Sequence, residues 1–159
     1  MDFIFSSPIP TIVNYLALAV GLWALFMRGR AIAALSPGAH TKKSVKTIFN
    51  SNNIWYLAVL LWIITSLILF GRTLDMGFDW YLENFWIRFN SAPAIIFVFI
   101  LEFKLMILFI RWRLSWKKFE NSTVQIDKSQ LRSLVIFNKI ELALVALISI
   151  LSLSRYGSN

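Results

Sequence analysis

The chain has 159 residues, of which 58% are hydrophobic, 16% aromatic and only 15% charged. Soluble domains carry about 45–50% apolar and about 25% charged residues, and a chain this short cannot hide so large an apolar excess from water, so a soluble globular domain is excluded. The net charge of +8, from 16 basic and 8 acidic residues, then marks cytoplasmic loops and contact with anionic lipid head groups; no basic arm suited to nucleic acid stands outside the apolar segments.

A helix needs about 20 predominantly apolar residues to cross the hydrocarbon core. The first such window runs from about Ile9 to Met27. Asp2 precedes it and Arg28 and Arg30 follow it, the reverse of a cleaved signal, so a retained anchor with its N-terminus outside is expected. Within it, Asn14 is a candidate for hydrogen bonding across helices, and Ala17 with Gly21 forms a small-xxx-small pair suited to close helix contact. Ser36-Pro37-Gly38 and Asn50-Ser51-Asn52-Asn53 read as breaks before the second window, Ile54 to Phe70. Arg72 to Asn90 follows, with DWYLENFWIRF at 79–89 suiting either a short interfacial helix or an aromatic loop packed on the helix ends. The third window spans about Ala92 to Ile110 and the fourth Leu134 to Leu153, separated by the charge-rich stretch Arg111 to Arg132. None alternates at period two, which disfavours a barrel. The expectation is a single all-α domain over 1–159, a polytopic membrane protein built as an antiparallel four-helix transmembrane bundle.

Lys and Arg counted by loop set the orientation. Loop one (Arg28, Arg30, Lys42, Lys43, Lys46) and loop three (Arg111, Arg113, Lys117, Lys118, Lys128, Arg132) carry eleven basic residues, against three on the other side: Arg72, Arg88 and Arg155. Loops one and three are therefore expected in the cytoplasm, both termini outside, and the protein in the bacterial inner membrane. Trp55, Tyr56, Trp80, Tyr81, Trp86, Trp112 and Trp116 fall near span boundaries, where interfacial belts form. The Asn121-Ser122-Thr123 sequon would then lie on the wrong side for glycosylation. Phe26-Met27-Arg28-Gly29-Arg30 and Phe109-Ile110-Arg111-Trp112-Arg113 are a weak internal echo, compatible with tandem helical hairpins or with chance.

Four charges fall inside the spans: Glu102 and Lys104 in the third, Lys139 and Glu141 in the fourth. Ionisable groups at depth cost about 2.5–3.5 kcal/mol each on insertion scales and so face a partner or a wet cavity. At ~1.5 Å rise per residue both lysines lie ~10 Å deep and both carboxylates ~13 Å, which predicts Glu102 with Lys139 or Glu141 with Lys104. Residues two apart point about 200° apart, so only one such pair fits one interface, and the other lysine snorkels. A structural ion pair that fixes helix register and a proton or ion relay are both open readings. His40, after Ser36-Pro37-Gly38, reads as a solvated loop histidine.

Asn14-Tyr15-Leu16-Ala17-Leu18-Ala19, Arg28-Gly29-Arg30-Ala31, Asn53-Ile54-Trp55, Tyr81 through Arg88, Glu102 and Ile110-Arg111-Trp112-Arg113 together resemble a family of bacterial four-helix inner-membrane proteins, a domain of unknown function. The resemblance covers roughly residues 12–118 and extends distantly to copper-resistance-D-like and haem-biosynthetic four-helix membrane proteins. It implies the four-helix fold and a polar set of Asn14, Arg28, Arg30, Asn84, Arg88, Glu102, Arg111 and Arg113. Family members often carry His where Asn14 stands and Lys where Arg88 stands. The wider kinship implies haem or metal chemistry on membrane histidines, which the spans of this chain lack; no cofactor, metal ligand or catalytic residue is therefore expected. Three functions compete: a non-catalytic membrane component, acting as homo-oligomer or subunit of a membrane complex; a small proton- or ion-coupled transporter or channel using Glu102 or Glu141; and a haem- or quinone-associated redox protein.

Overall fold

The structure, a computed structural model, describes residues 8–71, 92–118 and 123–154. Four helices, α1 (Ile9–Ala33), α2 (Lys46–Gly71), α3 (Ala92–Lys118) and α4 (Lys128–Ser154), account for nearly all of them. All four are long and apolar enough to cross a membrane. Their outer surface is dense in exposed aliphatic and aromatic side chains, among them Leu16, Trp23, Leu57, Leu67, Ile96, Phe103 and Ile150. Such continuous apolar exposure has no stable place in water.

Each helix extends six to eight residues beyond its apolar window at the end nearer loops one and three. The expected break at Asn50 to Asn53 is instead helical. Asparagines disfavour helix interiors because their side chains compete for backbone hydrogen bonds. Here they are otherwise engaged: Asn52 Oδ1 accepts from Arg28 and Asn53 Oδ1 from Arg113. Tertiary partners override local preference.

Loops one and three each contain a short strand. β1 (Gly38–His40) pairs antiparallel with β2 (Val124–Ile126), so the two connections lie side by side at one end of the molecule. Val124 and Ile126 point into the helix ends while Gln125 faces out. Gly38 starts the ribbon at φ +140°, a region that residues with a Cβ rarely adopt. His40 belongs to the ribbon and hydrogen-bonds through Nε2 to the Ser36 carbonyl at 2.7 Å.

Two apolar cores result. The one under the ribbon joins Ile32, Ile48, Phe49, Leu105, Phe109, Trp112, Val124, Ile126 and Leu134. Phe49 of α2 meets Phe109 and Trp112 of α3 edge-on, with centroids 5.6 and 6.4 Å apart. The second core, Ala24, Leu25, Trp55, Val98, Val145 and Ile148, lies farther along the helices. Gly21 lets α1 and α2 close up there: a Cβ on it would stand 2.9 Å from Trp55 Cζ3. The small-residue signal in α1 thus corresponds to a tight helix contact.

Candidate functional site

On α1 the buried positions Asn14, Ala17, Leu18, Gly21, Ala24, Leu25, Arg28 and Ile32 repeat every three or four residues, one inward stripe. Arg28 belongs to that stripe and is completely buried. Its guanidinium lies between the two apolar cores and reaches a side chain from every other helix. Nε donates to Asn138 Oδ1 of α4 at 2.7 Å, and Nη1 donates to Asn52 Oδ1 of α2 and Glu102 Oε1 of α3, both at 2.7 Å. Nη2 pairs with Glu141 Oε2 of α4. Four of the five guanidinium N–H groups are thereby used. Asn138 is fixed in turn, because its Nδ2 donates to the Leu25 carbonyl at 3.1 Å. Gly29 makes room for it: a Cβ there would fall 2.5 Å from Asn138 Nδ2.

The expected cross-pairs between Glu102 and Lys139 and between Glu141 and Lys104 do not form. Both carboxylates pair with Arg28, and Lys104 and Lys139 are exposed on the outer surface. The reason is the 200° separation within each Glu/Lys couple: once both glutamates face inward, both lysines face out. The cation came instead from a residue placed at the end of the first span, where the helix in fact continues to Ala33.

The other candidates scatter. Asn14 Nδ2 shares its hydrogens among Trp62 O, Thr65 Oγ1 and Ser66 Oγ at 3.2, 2.9 and 2.9 Å, a separate node joining α1 to α2. Arg113 lies 5.0 Å from the Phe49 ring centroid and donates to Asn53 at 2.8 Å. Arg30 and Arg111 are exposed. Asn84 and Arg88, the 79–89 segment and the sequon residues Asn121 and Ser122 lie outside the described residues. Sequence reasoning missed Asn52 and Asn138. The available signal was periodicity, since Asn138 and Glu141 stand three apart on the stripe that continues to Val145 and Ile148.

The charge arithmetic is uneven. One guanidinium faces two carboxylates, and Glu102 Oε2 and Glu141 Oε1 are buried without a hydrogen-bond partner. With both acids ionised the cluster carries one excess negative charge away from water, an expensive condition unless a proton or a cation joins it. Glu102 also borders a cavity of about 280 Å³ walled mainly by α2 and α3, with Leu18 of α1 and Val145 and Ile148 of α4 completing it. Among the described residues no group of three or more His, Asp or Glu forms a metal-ligand set.

No family model matches the chain, and neither do any curated proteins or solved structures.

Proposed function

We propose that the chain crosses the bacterial inner membrane four times as an antiparallel bundle, with both termini outside, and serves as a non-catalytic membrane component. In that role the Arg28 cluster specifies which helices pair and in what register, and the protein acts as a homo-oligomer or as a subunit of a membrane complex. One observation carries the reading: a single buried guanidinium is bonded to side chains of all three other helices. The antiparallel direction is supported for α1 and α2, since Asn14 meets Thr65 while Arg28, farther along α1, meets Asn52, earlier on α2. The ribbon supports the orientation, because it joins the two basic connections that the positive-inside rule assigns to one side. Exposed Arg30, Lys42, Lys43, Lys46, Lys128 and Arg132 at that end suit anionic lipid.

The test replaces the whole charge set at once by Arg28→Met, Glu102→Leu and Glu141→Leu. Exchanging a buried ion cluster for apolar side chains is often neutral or stabilising by about 1–4 kcal/mol. The triple variant should therefore fold in detergent and retain whatever subunits co-purify with the parent from native membrane. A folded triple variant stripped of those partners would show that the charges do more than pair helices. Topology is tested separately on this cysteine-free chain. A Ser44→Cys variant should react with a membrane-impermeant maleimide only after the cell is opened.

A second reading, a proton-coupled transporter or channel, rests on the two unpartnered carboxylate oxygens. Purified protein in liposomes would then carry a pH-gradient-driven flux that Glu102→Gln abolishes while the fold persists. Absence of flux of protons and common ions removes it.

A further inference from the structure

The Arg28 cluster is short of one positive charge, and its geometry shows where the deficit falls. Arg28 brings a single cation from α1, while Glu102 of α3 and Glu141 of α4 each bring a carboxyl to it. Asn52 and Tyr56 of α2 and Asn138 of α4 also border the cluster, and all three are neutral. Lys104 and Lys139 stand on the outer surface, so neither balances the second acid. Each carboxyl gives one oxygen to the guanidinium, which leaves Glu102 Oε2 and Glu141 Oε1 buried and unpaired. Tyr56 is near enough to serve Glu102 but, as a phenol, brings no charge. The Glu141 side chain is completely buried, so bulk water does not reach its free oxygen.

The two carboxyls also lie within hydrogen-bonding reach of each other. Both ionised, they would offer one another only acceptors and like charge. Carboxylates this close do not both ionise away from water; such a pair keeps one proton between them. We propose that the cluster binds one proton, held jointly by Glu102 and Glu141 on the carboxyl oxygens that the guanidinium leaves unpaired. One acid then donates to the other, and the set of one guanidinium, one carboxylate and one carboxylic acid is neutral. A metal cation fits the place less well. A calcium-like ion takes about 6–8 oxygen ligands, whereas Asn52 and Asn138 turn their Oδ1 atoms to Arg28. The inference rests on the reading that these helices lie in lipid and deepens it, since a neutral cluster is one that hydrocarbon tolerates.

The experiment is infrared spectroscopy of the full chain, with isotopically labelled glutamate carboxyls, in a detergent that has no carbonyl of its own. At neutral pH the parent should show the C=O stretch of one undissociated Glu carboxyl per chain. Glu102→Gln should lose that band, and so should Glu141→Gln, because either variant leaves one carboxylate for one guanidinium. In each the Gln amide N–H replaces the acid O–H as donor, so helix content by circular dichroism should match the parent. Should one variant fail to accumulate, the other decides against the parent spectrum. A folded parent without the band would overturn the proposal. So would a band that survives in either folded variant, since the proton would then belong to one residue alone. Labelling at Ser44→Cys tests the membrane placement separately, so a failure there is told apart from a failure of the shared proton.

Discussion

Two polar nodes lie on the inward stripe of α1, fourteen residues apart, and they solve the same problem differently. At Asn14 a neutral amide reaches Trp62, Thr65 and Ser66, all on α2, and Thr65 passes its own hydrogen back to the Leu61 carbonyl at 2.8 Å. Every group there is uncharged, and the described bonds of Asn14 fasten one pair of helices. At Arg28 a full charge gathers residues from all four helices and still leaves two carboxylate oxygens unpaired. A neutral node can be trimmed at small cost, because the unfolded chain in lipid also finds partners. A charged one cannot, since removing one partner strands the others. The ends of the molecule differ accordingly: the ribbon, the aromatic core and the guanidinium close the Arg28 end, and the cavity begins beyond it.

The largest expected effect breaks the charged node. Arg28→Met leaves Glu102 and Glu141 buried without their cation, and losing one member of a buried ion cluster costs about 3–5 kcal/mol. Thermal unfolding in mild detergent, followed by circular dichroism, should drop steeply or the protein should fail to accumulate. An Arg28→Met protein as stable as the parent would show that the cluster does not hold the helices together. Gly29→Ala tests the same node without touching a charge. Its Cβ would meet Asn138 Nδ2, which is not free to swing because Asn138 is bonded to both Arg28 and Leu25. Overpacking of this kind costs about 1–3 kcal/mol. The contrast with Arg30→Ala, an exposed neighbour, should be plain in the same melting experiment.

How far the sequence foretold these nodes depended on which physical signal each residue carried. Four helices were legible because hydrocarbon demands long apolar runs. Their true ends were not, because Asn50 to Asn53 look like a break until Arg28 and Arg113 supply the bonds that hold Asn52 and Asn53 in a helix. The β1–β2 ribbon was invisible, since two three-residue strands separated by some eighty residues leave no pattern. Glu102 and Glu141 announced themselves as charges at depth, but the lysines beside them drew the pairing to the wrong partners. Arg28 looked like a boundary charge because it directly follows the apolar run; the three-four repeat from Asn14 onward was the signal that it faces inward. Asn52 and Asn138, neutral and unremarkable in composition, became readable only once Arg28 was placed.

Trimming the neutral node sharpens the comparison from the other side. Asn14→Ala removes up to three hydrogen bonds, yet interhelical hydrogen bonds in membrane proteins average about 0.6 kcal/mol and reach about 1.7. Thr65 and Ser66 remain able to bond to their own helix carbonyls, as Thr65 already does. The melting shift should therefore be a fraction of that for Arg28→Met. Equal losses at the two positions would mean that charge is not what sets them apart.

The smallest expected effect lies at the surface of the ribbon end, where Asp127 begins α4. Its Oδ1 accepts from the Gln130 backbone N–H at 2.7 Å and from the Ser129 hydroxyl at 2.8 Å, the arrangement of a helix N-cap. Those bonds, the Gln130 amide first, hold the Asp127 carboxyl below its ordinary value. A carboxylate favoured in the folded state contributes stability above the unfolded pKa and loses it as pH falls through the folded one. Acidification should thus loosen the first turn of α4, read as faster amide hydrogen exchange at Gln130, before the apolar cores respond. Asp127→Asn keeps an acceptor for Gln130 and removes the titrating group, so exchange there should lose its pH dependence beyond the intrinsic one, while Asp127→Ala should exchange rapidly at every pH. Being fully exposed, this cap stands apart from both buried nodes: its loss should leave the melting of the bundle nearly unchanged, whereas a large shift would mean that the ribbon end is held from its surface and not from Arg28.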